Sequence, residues 1–246
     1  MIRLTLASLL IFACAGHAAL AQNDDAFARA NQEYASGKFA EAIELYESVA
    51  RAREPGAVLF YNLGNAHFRA GDLGHAILNY ERALMLEPHH PEAEANLRLV
   101  RDKARALQLK RDRLDRALMQ FTTKEYSIAA AVSFWMAAFA LIALIYARRR
   151  TPAFTGLLAL SLLAFAASVY AVYSFEIGGT GRDLAIVTAK STDARLATAD
   201  SAGTVLTLPA GSEVRILSTR GDWSYAALPN DLRGWISAQS AERVRL

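Results

Sequence analysis

Thiols are almost absent from this chain. Its one cysteine, Cys14, falls in an N-terminal apolar stretch, so a chain processed behind that stretch holds no disulfide, no redox thiol and no cysteine-bound metal. Charge of one sign is lacking as well. Lys and Arg number 27 against 24 Asp and Glu, a formal net charge of +3, which argues against a nucleic-acid partner. Catalytic patterns are missing too: no Ser-His-Asp order, phosphate-binding glycine loop or carboxylate pair stands out. No active site and no cofactor are therefore expected, and the chain is not read as an enzyme.

Two long stretches lack charge altogether. One runs from Ser127 to Ala147 and the other from Ala153 to Phe175, with Arg148, Arg149, Arg150, Thr151 and Pro152 between them. Each exceeds the roughly 18–20 apolar residues a helix needs to cross a bilayer core of about 30 Å. Spanning segments must pair their own backbone groups, so both are expected as helices. The short link makes them antiparallel, and its arginines place it in the cytoplasm. Expected transmembrane helices are thus 126–147 and 153–175, with a cytoplasmic link at 148–152.

Met1 to Ala21 reads as a secretory signal, with Arg3 in a minimal positive region, Leu4 to Ala15 apolar, and Ala19-Leu20-Ala21 before the cleavage point. Together with the hairpin it puts both flanking regions in the periplasm of a bacterial inner-membrane protein.

From Asn23 to His90 the chain repeats at a period of 34 residues: Phe27 matches Tyr61, Tyr34 matches Phe68, Gly37 matches Gly71, and Tyr46-Glu47 matches Tyr80-Glu81. That period, with Leu63-Gly64, Ala76, Tyr80, Ala83 and Pro88 in the second copy, resembles the tetratricopeptide repeat, a helix-turn-helix unit. The first copy departs from the pattern, with Ala30 for the glycine and Val49 for the last alanine. Two repeats need a cover. Pro91 opens one, a long helix with Ala93, Leu97, Val100, Ala104, Leu107, Leu114 and Leu118 on one stripe. Its basic residues, Arg98, Arg101, Lys103, Arg105, Lys110, Arg111, Arg113 and Arg116, read as a solvated face. The repeat domain with this helix is placed at 22–122.

Histidine offers no metal site at this level. His67 occupies a repeat position that often holds an aromatic residue and is expected in the core, while His89-His90 flank a turn. Zinc would need further ligands at defined geometry.

Behind a glycine-rich linker, 176–182, short β-type runs follow: Leu184–Ala189, Thr204–Leu208, Glu213–Leu217, Trp223–Leu228 and Gly234–Ile236, broken by turn residues. The order of a Pro-x-Gly turn, Gly-Asp-Trp and Gly-Trp-Ile resembles bacterial SH3-like domains over 183–246. The fold class expected is a helical repeat domain, a two-helix transmembrane hairpin and a small all-β barrel. The SH3 resemblance nominates Trp223, Tyr225 and Trp235 as a ligand face. The repeat resemblance places Phe27, Asn31, Tyr34, Tyr61, Asn62, Asn65, Phe68, Arg69 and Asn96 on a protein-binding groove, where asparagine amides can both donate and accept.

The whole order (signal, repeats, two spans, SH3-like domain) resembles the BatE proteins of the Bat (Bacteroides aerotolerance) group. That resemblance implies a membrane-bound scaffold with a role in envelope stress, working with von Willebrand A-domain membrane proteins and, indirectly, a MoxR-type ATPase. The alternative is a peptidoglycan-binding envelope protein that uses its SH3-like domain.

Overall fold

The computed structural model describes residues 25–52, 54–110, 113–118, 120–146, 152–176 and 183–245. The signal, the arginine link at 148–150 and the glycine linker lie outside the described residues.

Five helices form the repeat region. Helix α1 covers 25–35, α2 Phe39–Ala52, α3 Ala57–Ala70, α4 Leu73–Leu86 and α5 Pro91–Ala104. The α3–α4 turn shows how the sequence sets the hairpin. Gly71 takes the left-handed conformation (φ 86°) that ends α3, its N–H donating to Phe68 O, and Asp72 caps α4 by accepting from the backbone N–H of His75. Gly64 lies where α3 meets α4: a Cβ there would stand 2.8 Å from the Tyr80 ring. Ala42, Tyr46 and Val49 of the first repeat pack with Leu63 and Ala66 of α3. Ala76, Ile77, Tyr80, Leu97 and Val100 fill the second.

The long covering helix does not extend to Leu118. It stops at Ala104, where Arg105 turns left-handed (φ 52°). A short helix α6 follows only at Arg113–Leu118. The reason lies in the C-terminal region, which takes over the backbone groups of 107–109. Leu107 N donates to Ser212 Oγ (3.1 Å), Leu107 O accepts from Glu213 N (2.8 Å), and Leu109 N donates to Glu213 Oε2 (3.2 Å). Leu107 packs into the sheet core instead of continuing a helical stripe.

Helices α7, Thr123–Tyr146, and α8, Pro152–Glu176, pack side by side. α7 starts earlier than the uncharged run because Thr122 and Glu125 form a reciprocal cap: Glu125 Oε2 accepts from Thr122 N (2.7 Å) and Thr122 Oγ1 from Glu125 N (3.2 Å). Both helices are long and apolar enough to cross a membrane, and only 17% of each apolar window is buried. Trp135, Phe139, Ile145, Leu160 and Leu163 stand exposed, which is not how the core helices of a soluble domain behave.

The C-terminal region is one antiparallel sheet of seven strands: β1 Leu184–Val187, β2 Ser191–Arg195, β3 Thr204–Pro209, β4 Glu213–Arg220, β5 Trp223–Ala227, β6 Arg233–Ser237 and β7 Ala241–Arg243. The order is β3-β2-β6-β5-β4-β1-β7. The sheet is not closed, so the expected barrel is corrected to an open antiparallel sheet with Val187, Ala194, Leu208, Val214, Ala226 and Ile236 in its core. The β7 edge meets the repeats, where Arg82 of α4 donates to the carbonyls of Arg243 (2.9 Å) and Val244 (3.2 Å). An edge capped this way needs no closing strand.

Candidate functional site

Of the residues nominated from the repeat pattern, the asparagines Asn31 and Asn62, and Asn65 and Asn96, are tied in two pairs by hydrogen bonds that recur with the repeat period. In the first repeat, Asn31 Oδ1 accepts from Tyr46 OH (2.6 Å) and from Asn62 Nδ2 (3.2 Å). In the second, 34 positions on, Asn65 Oδ1 accepts from Tyr80 OH (2.6 Å) and from Asn96 Nδ2 (3.0 Å). Burial pushes the Tyr46 phenol up to about 12 and moves Tyr80 in the same direction, so both stay protonated and donate. The asparagines thus serve the fold through their oxygens. Their own Nδ2 groups donate to nothing among the described residues, and neither side chain is buried.

Aromatic and cationic side chains flank this ladder. Phe27 packs against Tyr46 (centroids 5.8 Å apart), Tyr34 against Phe39 (5.5 Å) and Tyr61 against Tyr80 (6.1 Å). Arg69 lies over the Phe39 ring (4.8 Å) and Lys103 over Phe68 (5.0 Å). The groove therefore offers free amide donors, aromatic faces and fixed positive charge, a chemistry suited to extended peptide backbone.

Sequence reading treated the repeats and the sheet as separate units. The structure joins them through a buried seam. Arg101 of α5, expected on a solvated face, instead pairs with both Glu81 of α4 and Glu213 of β4, whose side chain is 0% exposed. Ile186 and Val244 of the sheet belong to the same apolar cluster as Ala76, Ile77 and Val100 of the repeats. The sheet thus docks on α4 and on the end of α5, and the asparagine ladder stays clear.

A second polar cluster sits at this seam. His67 is buried, as expected, but its ring stacks on that of His75 (centroids 5.1 Å, planes 20° apart), and Asp72 faces both. Asp72 Oδ2 lies 2.7 Å from His75 Nδ1 and 3.5 Å from His67 Nδ1, while His75 Nε2 lies 3.5 Å from Glu242 Oε1 of the sheet. The hydrogen bond to Asp72, then that to Glu242, raises His75 to about 9 against the opposing effect of burial. Burial works to raise Asp72, but the hydrogen bonds from the two histidines and the His75 backbone together hold it well below the carboxylate range. Spacing alone gave no hint of this group, because the two histidines lie on different helices and Glu242 is remote in sequence.

On the sheet, Tyr225 and Trp235 are cross-strand partners with rings 5.0 Å apart, and Trp223 shares their face. Arg195 pairs with Trp235, Arg220 with Trp223 and Arg233 with Ala227, so three arginines border the aromatic strip.

The tetratricopeptide-repeat family model matches residues 57–90. No curated protein matches the chain. Repeats of this family generally mediate protein–protein contacts.

Proposed function

We propose that the chain is a non-catalytic, membrane-anchored scaffold of the bacterial envelope, BatE-like in its domain order, that holds an extended segment of a partner protein on the groove of its repeats. The observation that carries this reading is the division of surfaces. The sheet occupies α4 and the end of α5, while Asn31 and Asn65 keep unused amide donors beside Tyr34, Tyr61, Phe68 and Arg69. The seam also supports the topology. A buried interface between residues before and after two crossings requires both regions on one side of the membrane, the side opposite the 148–150 arginines. The partner classes implied by the BatE resemblance are von Willebrand A-domain membrane proteins and, through them, a MoxR-type ATPase.

The test is capture by the full-length protein in mild detergent. Asn31→Asp with Asn65→Asp keeps the oxygens that Tyr46 and Tyr80 need and removes the free donors. Capture of a membrane partner should fall while the melting temperature stays nearly unchanged. Capture at the parental level removes the groove from the mechanism. The second reading, peptidoglycan binding through Trp223, Tyr225 and Trp235, is favoured by the arginine-bordered aromatic strip. It requires the full chain to sediment with purified sacculi and Trp235→Ala to abolish this. The SH3-like assignment itself belongs to that reading.

A further inference from the structure

The turn between α3 and α4 gathers three donor atoms that suit a metal ion. One nitrogen each of His67 and His75 and one carboxylate oxygen of Asp72 lie within 4.8 Å of one another. An ion with bonds of about 2.0–2.2 Å keeps its nitrogen and oxygen ligands roughly 3–3.5 Å apart. The distances from Asp72 Oδ2, 3.5 Å to His67 and 2.7 Å to His75, are near that range. Placing the three on one centre requires only that the side chains rotate. His75, a third exposed, is the ring with freedom to turn out of the stack, and it opens the site to solvent.

Each donor is braced from behind. Asp72 spends Oδ1 on the helix cap, accepting from His75 N at 3.2 Å, and turns Oδ2 to the two rings, where an ion would take the place of the proton shared with His75 Nδ1 at 2.7 Å. His67 is held in the repeat core. His75 turns its remaining nitrogen, Nε2, toward Oε1 of Glu242 at 3.5 Å. A carboxylate behind a histidine fixes the tautomer and makes the opposite nitrogen a better ligand. Glu242 is itself positioned by Arg82, 3.4 Å away.

We propose that His67, Asp72 and His75 form a binding site for Zn²⁺ or a divalent ion of similar preference, with Glu242 of the sheet as the outer partner of His75. Two imidazoles and one carboxylate select zinc, cobalt or nickel over calcium and magnesium, which take oxygen ligands. Three protein ligands leave positions for water or for a group from a bound partner. Because the ligands come from the repeats and Glu242 comes from β7, the ion tightens the seam between the two regions and stabilises the docked state by mass action.

The experiment uses full-length protein without a polyhistidine tag, stripped with chelator in mild detergent and titrated with Co²⁺ and then Zn²⁺. The expected result is a visible Co²⁺ absorption band at one equivalent, displaced by Zn²⁺, with a Zn²⁺-dependent rise in melting temperature that chelator reverses. Asp72→Asn preserves the cap oxygen and should lose the band. His75→Ala should lose it too, and Asp72→Asn alone decides the matter if His75→Ala does not fold. Glu242→Gln should keep the stoichiometry with affinity about 10–100-fold weaker. Failure of the parent protein to bind Co²⁺ or Zn²⁺ at about 1 mM, the weak end of specific binding, overturns the proposal. So does unchanged binding by Asp72→Asn, which moves the ion to other ligands such as His89 and His90. Unchanged affinity in Glu242→Gln overturns the link to the seam.

Discussion

Replacing Gly74 by alanine should loosen the contact between repeats and sheet while leaving the repeats themselves intact. Gly74 lies in the first turn of α4, and a Cβ on it would stand 2.7 Å from Thr188 O, 2.9 Å from Thr188 Cα and 2.9 Å from Val187 O. All three are backbone atoms. They cannot give locally, because Val187 N is bonded to Ser212 O (2.9 Å) and Thr188 N to Ser240 O (2.9 Å) within the sheet. The sheet must therefore retreat as a body by roughly half an ångström or more, at the about 1–3 kcal/mol typical of overpacking. Alanine is the better helix former by up to about 1 kcal/mol, so the two effects oppose each other. The net loss falls on docking alone.

Amide exchange in the full chain separates the two effects. Glu213 N–H donates to Leu107 O across the seam. A net loss of about 1–2 kcal/mol should speed its exchange by roughly 5–30-fold. Amides of α2 and α3 on the far side of the stack should not change. Parental exchange at Glu213 together with a raised melting temperature would mean that α4 and β1 do not approach closely, and the seam would be refuted.

Three further outcomes follow from the same contacts. Asn31→Ala with Asn65→Ala should destabilise the chain. It strands the Tyr46 and Tyr80 hydroxyls, on side chains 1% and 0% exposed, at about 1–3 kcal/mol each, readable as a lower melting temperature. Arg101→Ala leaves Glu81 and the buried Glu213 without their shared cation and should cost about 3–5 kcal/mol, seen as exposure of the 105–110 segment to protease. Ala76→Leu, at a fully buried position beside Gly64, should overpack the α3–α4 crossing by about 1–3 kcal/mol, and an unchanged unfolding midpoint would contradict the repeat packing.

What the sequence disclosed was what local pattern controls. The 34-residue period placed both repeats, because small residues at helix crossings and turn glycines act within each unit. The two uncharged runs became α7 and α8 within a few residues. The missed start of α7 came from the Thr122–Glu125 cap, whose residues are polar and so fell outside an apolar run. Two strands were not foreseen. β2, Ser-Thr-Asp-Ala-Arg, carries a single apolar residue, Ala194, and β7 is only Ala-Glu-Arg. Both are recruited by neighbours, not by their own composition. The end of α5 was illegible for the same reason. Leu107 continues the helical stripe in sequence, yet Ser212 and Glu213 compete for its backbone from about a hundred residues away. The wiring of the nominated asparagines was not legible in the sequence. The period predicted Asn31 and Asn65 as equivalents, while only the structure shows that each must accept from a buried tyrosine.

The seam changes how the membrane hairpin can act. If repeats and sheet were independent, the two spans would only tether them. Joined, they form one body, and the chain between them runs through α7 and α8, both long and apolar enough to cross a membrane. That body is tied back to the spans: Arg245 Nη1 donates to Phe175 O at the end of α8 (2.8 Å), and Tyr126 OH near the start of α7 donates to Leu118 O (3.1 Å). Tyr126 and Phe175 also meet ring to ring at 6.1 Å. In the proposed scaffold, a pull on a segment held in the groove would pass from α5 and α4 through Arg101 and Arg82 into the sheet, and from its C-terminal strand to the end of α8.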